Sequence, residues 1–192
     1  GIALVLKAQS PDLIIQSENG KLYLDHTVAP KENFYSIGRL YNISPKEIVP
    51  FNGLSLNSGL EIGQILKIPL VADNFAQHGK AVADEVFVPL YHIVTQKEGL
   101  YRIGQNFNKV SVSDLKTWNN LNVETISNGQ TLVVGFLKVK TSQSALAAKG
   151  IKKIGSIANT PASTAPVVAK TESNTVVTTK PVEEPAAKTV ET

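Results

Sequence analysis

One pattern is written twice in this chain, and it limits the size of any core the chain can build. The first copy, HTVAPKENFYSIGRLYNISPKEIVPFNGLSLNSGLEIGQILKIP, starts at His26, and the second, HIVTQKEGLYRIGQNFNKVSVSDLKTWNNLNVETISNGQTLVV, starts at His92. Val28 recurs as Val94, Phe34-Tyr35-Ser36-Ile37-Gly38 as Leu100-Tyr101-Arg102-Ile103-Gly104, Asn52 as Asn119, and Gly63-Gln64 as Gly129-Gln130. A repeat this short means two small, similar modules rather than one large core. Modules of that size bury little surface and commonly recruit disulfides or metals to compensate. With no cysteine, and only His26, His78 and His92 as imidazoles, neither a disulfide framework nor a zinc cage can be written. Packing of a few aliphatic and aromatic side chains must hold each module.

The local patterns give both copies the order strand, helix, helix, strand. In the first, Tyr23 to Val28 alternates as a strand, Ala29 to Glu32 reads as a turn, and Asn33 stands at a helix N-cap. Phe34, Ile37, Gly38 and Tyr41 fall on one helical face. Glycine costs a helix about 1 kcal/mol against alanine, so Gly38 predicts close approach of another backbone. Pro45 opens a second helix running to about Asn52, and Ile65 to Ile68 closes the copy. The second copy repeats this through Tyr91 to Val94, Leu100 to Phe107, Ser111 to Asn119 and Thr131 to Val134. Asn52 and Asn119 are expected to satisfy backbone groups where the second helix ends.

Around the copies, residues 1–10 resemble the end of a secretory signal peptide and its small-residue cleavage site. Residues 70–89 read as a linker, with a short helix near Ala81. Residues 140–192 have no aromatic side chain and read as a low-complexity disordered tail, with room for a short helix over 145–153. Residues 1–139 carry 12 Lys and Arg against 12 Asp and Glu, so the net charge of +3 sits in the tail. Charge-balanced modules without a basic stripe argue against nucleic acid, where phosphate neutralisation supplies most affinity. No run approaches the roughly 18 apolar residues of an integral membrane segment.

These residues resemble the LysM domain, or lysin motif. NFYSIGRLYNIS and GLYRIGQNFNKVS match its first helix, NGL and NNL the end of its second, and GQILKIP and GQTLVV its close. The resemblance implies an α+β fold of two βααβ modules, 23–69 and 90–139, each a two-stranded antiparallel sheet with two helices on one face. It also implies binding of glycans containing N-acetylglucosamine, peptidoglycan or chitin. The family's groove, carried over by position, would use Ala29, Pro30, Lys31, Glu32, Asn33 and Phe34 with Gly53, Leu54, Ser55 and Leu56. In the second copy it would use Thr95, Gln96, Lys97, Glu98, Gly99 and Leu100 with Asn120, Leu121, Asn122 and Val123. Turn amides can pair with an N-acetyl oxygen while small apolar side chains cover its methyl, so the chemistry needs no fixed charge. The family's Gly-Asp-Thr turn is Lys31-Glu32-Asn33 in one copy and Lys97-Glu98-Gly99 in the other. The leading glycine is lost, and the sequence does not fix the path of the turn. Pro50 is expected to bend the last turn of its helix.

Each inferred groove has one acid, Glu32 or Glu98, where glycoside cleavage generally uses two carboxylates. The expectation is a non-catalytic binder without cofactor or metal, secreted to the periplasm or cell envelope. Trp118 and Phe51, at matching positions, are expected to pack in the core rather than stack on sugar. Two other readings stay open: the targeting portion of a cell-wall hydrolase with a further domain beyond Thr192, and a structural or protein-docking module that no longer binds sugar.

Overall fold

In the computed structural model, which describes residues 13–155, each copy folds as strand, helix, helix, strand and gains one strand that the repeat pattern does not contain. In the first module β1 (Ile15–Glu18) and β2 (Lys21–Thr27) form a hairpin closed by Asn19 and Gly20, at φ 51° and 75°. An Asn-Gly pair in the left-handed region gives the two-residue turn whose twist matches its strands. Helices α1 (Phe34–Tyr41) and α2 (Pro45–Phe51) follow, and β3 (Ile65–Pro69) returns antiparallel to β2, giving the order β1-β2-β3. In the second module β4 (Phe75–Ala76), β5 (Glu85–Ile93), α3 (Leu100–Asn106), α4 (Val112–Trp118) and β6 (Thr131–Lys140) build a sheet of order β4-β6-β5. The expected two-stranded sheets are therefore three-stranded.

The helices pack as their glycines require. A Cβ on Gly38 would lie 2.6 Å from the Ile43 carbonyl, and one on Gly104 would run into the Val110 carbonyl. Only a bare Cα lets the chain turn back across its own helix at these points. Leu24, Ile37, Ile48, Leu66 and Ile68 of the first module and Leu90, Ile103, Leu115, Leu132 and Phe136 of the second are fully buried in one apolar cluster.

The two modules are joined by structure rather than by a free tether. The expected linker, 70–89, holds β4 and the start of β5, and it is anchored by two buried amides. Asn74 donates from Nδ2 to the Pro69 carbonyl and accepts the Val71 N–H. Gln77 donates from Nε2 to the carbonyls of Phe107 (2.6 Å) and Val134 (3.1 Å). No helix forms near Ala81, whose N–H donates instead to the Lys152 carbonyl. Direct bonds complete the junction: Tyr91 N–H to the Leu13 carbonyl (2.8 Å), Ser144 Oγ to the Leu40 carbonyl (2.6 Å), and Asn42 Nδ2 to the Asp73 carbonyl (3.0 Å).

The ordered chain also runs past 140. A 3-10 helix covers Ala145–Lys149, and Ile151 exchanges backbone hydrogen bonds with Phe87. The boundary fails because Leu146, Ile151 and Ile154 pack against the core although no aromatic marks the segment. The expected signal remnant at 1–10 and the tail from 156 onward lie outside the described residues.

Candidate functional site

In each module the turn after the first core strand and the loop before the last leave the sheet at the same place. Val28 N–H donates to the Gln64 carbonyl and Gly63 N–H to the Val28 carbonyl; Val94, Gln130 and Gly129 repeat the pair. Gly63 and Gly129 take φ 86° and 81°, and the side chains of Gln64 and Gln130 accept from the N–H groups of Glu61 and Ser127. The repeated Gly-Gln is thus a turn closed on itself.

A carboxylate holds the turn after the first core strand in each module. Glu32 Oε2 accepts from the Ala29 N–H (2.8 Å) and lies 2.7 Å from His26 Nε2, while His26 Nδ1 meets the Tyr41 hydroxyl at 2.9 Å. Glu98 Oε2 repeats this with the Thr95 N–H (2.7 Å) and His92 Nε2 (2.8 Å), and the His92 ring packs against Phe107. Burial alone would raise each carboxyl, but the turn amide and the histidine outweigh it and hold both below the ordinary glutamate range. Burial, with the Glu32 charge adding, pushes the Tyr41 hydroxyl up. A carboxylate held ionised and already bonded to two donors clamps the turn; it is not poised to donate a proton. The six-residue spacing of His and Glu occurs in both copies and could have flagged the pair, but in the sequence the histidine reads as a strand-edge residue and the glutamate as a groove acid.

The turn takes a left-handed step at the position of the lost glycine. Lys31 and Lys97 occupy the vacated position at φ 67° and 65°, the left-handed region glycine favours. The next residues differ between modules. Asn33 caps α1, its Oδ1 accepting from the N–H groups of Tyr35 (3.0 Å) and Ser36 (2.9 Å), with Ser36 Oγ accepting the Asn33 N–H in return. Gly99 offers α3 no side-chain cap.

Ala29, Pro30, Lys31, Asn33, Gly53, Ser55 and Leu56 are exposed, Glu32 and Leu54 half-buried, and Phe34 buried. Thr95, Gln96, Lys97, Gly99, Asn120, Asn122 and Val123 are exposed, Glu98 and Leu121 half-buried, and Leu100 buried. Phe34 and Leu100 are therefore core residues that can offer a groove only their backbone. A shallow depression takes in Asn120, Leu121 and Asn122, but α4 bounds it through Ser113 and Lys116, without a residue of the 95–100 turn. Trp118 is 3% exposed and meets Phe136 edge-on at 5.3 Å, whereas Phe51 is half-buried beside Tyr23.

Asn52 and Asn119 do more than end a helix. Asn52 Nδ2 donates to the carbonyls of Ile48 (2.8 Å) and Lys67 (2.7 Å), and its Oδ1 accepts the Lys67 N–H (2.8 Å). Asn119 does the same with Leu115 and Val133. Each amide pairs with a strand residue as a neighbouring strand would, and so fixes the start of the loop that follows. Among the described residues no group of three or more His, Cys, Asp or Glu could hold a metal, and no helix is long and apolar enough to cross a membrane.

Residues 26–69 and 92–135 each match the LysM domain model, a carbohydrate-binding module. No curated protein matches the chain. Among solved structures, the spore cortex-lytic enzyme SleL of Bacillus cereus is 28% identical over 58% of this chain, with a TM-score of 0.28. SleL of Bacillus megaterium is 21% identical over 58%, with a TM-score of 0.25. In both cases the match spans only 22% of the other chain.

Proposed function

Because the chain carries two tandem LysM domains, we propose that it is a non-catalytic binder of peptidoglycan, held on the glycan by both modules as a secreted protein of the cell envelope. The observation that carries this reading is the duplicated clamp. His26 with Glu32, and His92 with Glu98, stabilise the same left-handed turn at the same groove wall. A clamped turn presents its amides with little ordering cost on binding, which suits recognition of a neutral acetamide. Specificity then follows from groups left unpaired when the N-acetyl group is missing.

The junction between modules alters how avidity arises. Connected by a free tether, two sites would gain through an effective concentration set by chain statistics. Here residues 70–89 are built into the fold, so the two grooves are presented at fixed spacing. Co-sedimentation with insoluble peptidoglycan tests the proposal, paired with titration of N-acetylglucosamine oligomers read by amide chemical shifts. Retention on the pellet, with shifts clustered at Lys31 to Phe34 or Lys97 to Leu100, is expected. Absence of both sinks it.

A further inference from the structure

Packing of the two modules creates a shallow, open cleft between α1 of the first and the β5–β6 sheet of the second. Tyr35, Arg39, Asp73, Glu85, Lys138 and Lys140 are among the residues that line it. Five charged groups, three cations and two acids, thus face one space. None pairs with another: the ion pairs among the described residues are His26–Glu32, Lys67–Glu18 and His92–Glu98. Lys138 Nζ donates to the Ala72 carbonyl, and Lys140 lies near the Asp84 carboxyl, which Thr141 and Ser142 already hydrogen-bond. Tyr35, 61% exposed, stands two residues beyond Asn33, so this cleft and the turn carried over as the first groove adjoin along the chain.

We infer that this cleft is a separate subsite for a short zwitterionic peptide attached to the bound glycan. Arg39 and Lys140 would receive its carboxylates, and Asp73 with Glu85 its ammonium group. A simple anion would meet the two acids as well as the cations, and a neutral sugar would use neither. A peptide carrying both charges satisfies both sets, with Tyr35 as an apolar edge for its backbone. Glycan strands of the bacterial wall bear such peptides and chitin does not. The inference rests on the glycan-binding proposal and would distinguish the two polymers.

The test uses the full chain and three tetrasaccharide probes, measured by calorimetry: a peptidoglycan fragment with its stem peptides, the same fragment stripped to free lactyl carboxylates, and neutral chitotetraose. The peptide-bearing probe should bind about five- to tenfold more tightly than chitotetraose, the effect of two or three half-exposed charge-assisted contacts. The double variant Arg39→Ala, Lys140→Gln should abolish that difference and leave chitotetraose binding unchanged, which also shows that the variant folds. Equal affinity for the peptide-bearing and neutral probes overturns the inference while leaving the glycan reading standing. Equal affinity for the peptide-bearing and stripped probes overturns it too, by assigning the cations to the lactyl group. Failure of all three probes to bind removes the glycan reading itself, and the subsite with it.

Discussion

Replacing Asn52 with alanine removes three hydrogen bonds at once and should be among the most damaging single changes outside the apolar core. The Lys67 N–H and carbonyl both turn away from β2 and are satisfied by the Asn52 side chain, whereas the Ile48 carbonyl keeps a backbone donor at 3.3 Å. Each exchanged hydrogen bond is worth about 0.5–1.5 kcal/mol net. Water reaches this half-buried site and recovers part of that, so the expected loss is about 2–3 kcal/mol. With a urea slope of about 1–3 kcal/mol per molar, the midpoint should fall by roughly 1–2 M at unchanged slope, followed by Trp118 fluorescence. Asn52→Asp is the sharper variant. It keeps the acceptor for Lys67 N–H but sets a carboxylate against the carbonyls of Ile48 and Lys67. At neutral pH it should be no better than alanine, and it should recover in acid as the carboxyl gains a proton to donate. A loss under about 0.5 kcal/mol for alanine, or native stability for Asp at neutral pH, would refute the idea that this amide serves as a strand edge.

Further outcomes follow from the turns and the packing. Lys31→Gly and Lys97→Gly should each stabilise the protein by about 1 kcal/mol in thermal unfolding, because glycine accepts the left-handed conformation without the Cβ penalty; a neutral or negative effect would show that the lysine side chains contribute contacts. The depressed carboxyls of Glu32 and Glu98 give stability that is complete above the ordinary glutamate value, about pH 4.3, and is lost as pH falls through their lower folded values. Melting temperature should therefore drop below about pH 4.5, more steeply in the native protein than in the Glu32→Gln, Glu98→Gln double variant, and equal slopes would count against the clamps. Gly104→Ala should destabilise by about 1–3 kcal/mol, the usual range for overpacking, because the new Cβ meets the Val110 carbonyl rather than a flexible side chain; an unchanged urea midpoint would contradict the close approach.

Much of the fold can be read without coordinates because it is local. The face Phe34, Ile37, Gly38 and Tyr41 obeys the helical period, and it is buried as that period requires. Ser44 before Pro45, and Ser111 before Val112, start the second helices. The hairpin at Asn19-Gly20 carries an equally local turn signal, but it stands outside the repeat, so comparing the two copies does not point to it. Within the turns, Lys31 and Lys97 take the left-handed conformation, whereas Phe34 and Leu100, adjacent in sequence to exposed turn residues, are buried in the core.

The repeated pattern by itself determined that two small modules exist, where their helices lie, and which turns and loops flank each sheet, because these depend on periodicity and backbone preference over a few residues. Only the tertiary structure decided that Asn74 and Gln77 anchor the segment between the modules, that Ser144 reaches back to the first module, that His26 and His92 use their Nε2 on glutamate clamps, and that five charged groups with no ion pair among them line a shallow cleft between α1 and the second sheet. A polar residue's role is set by the donors and acceptors around it, and those come from chain segments as far apart as Leu40 and Ser144.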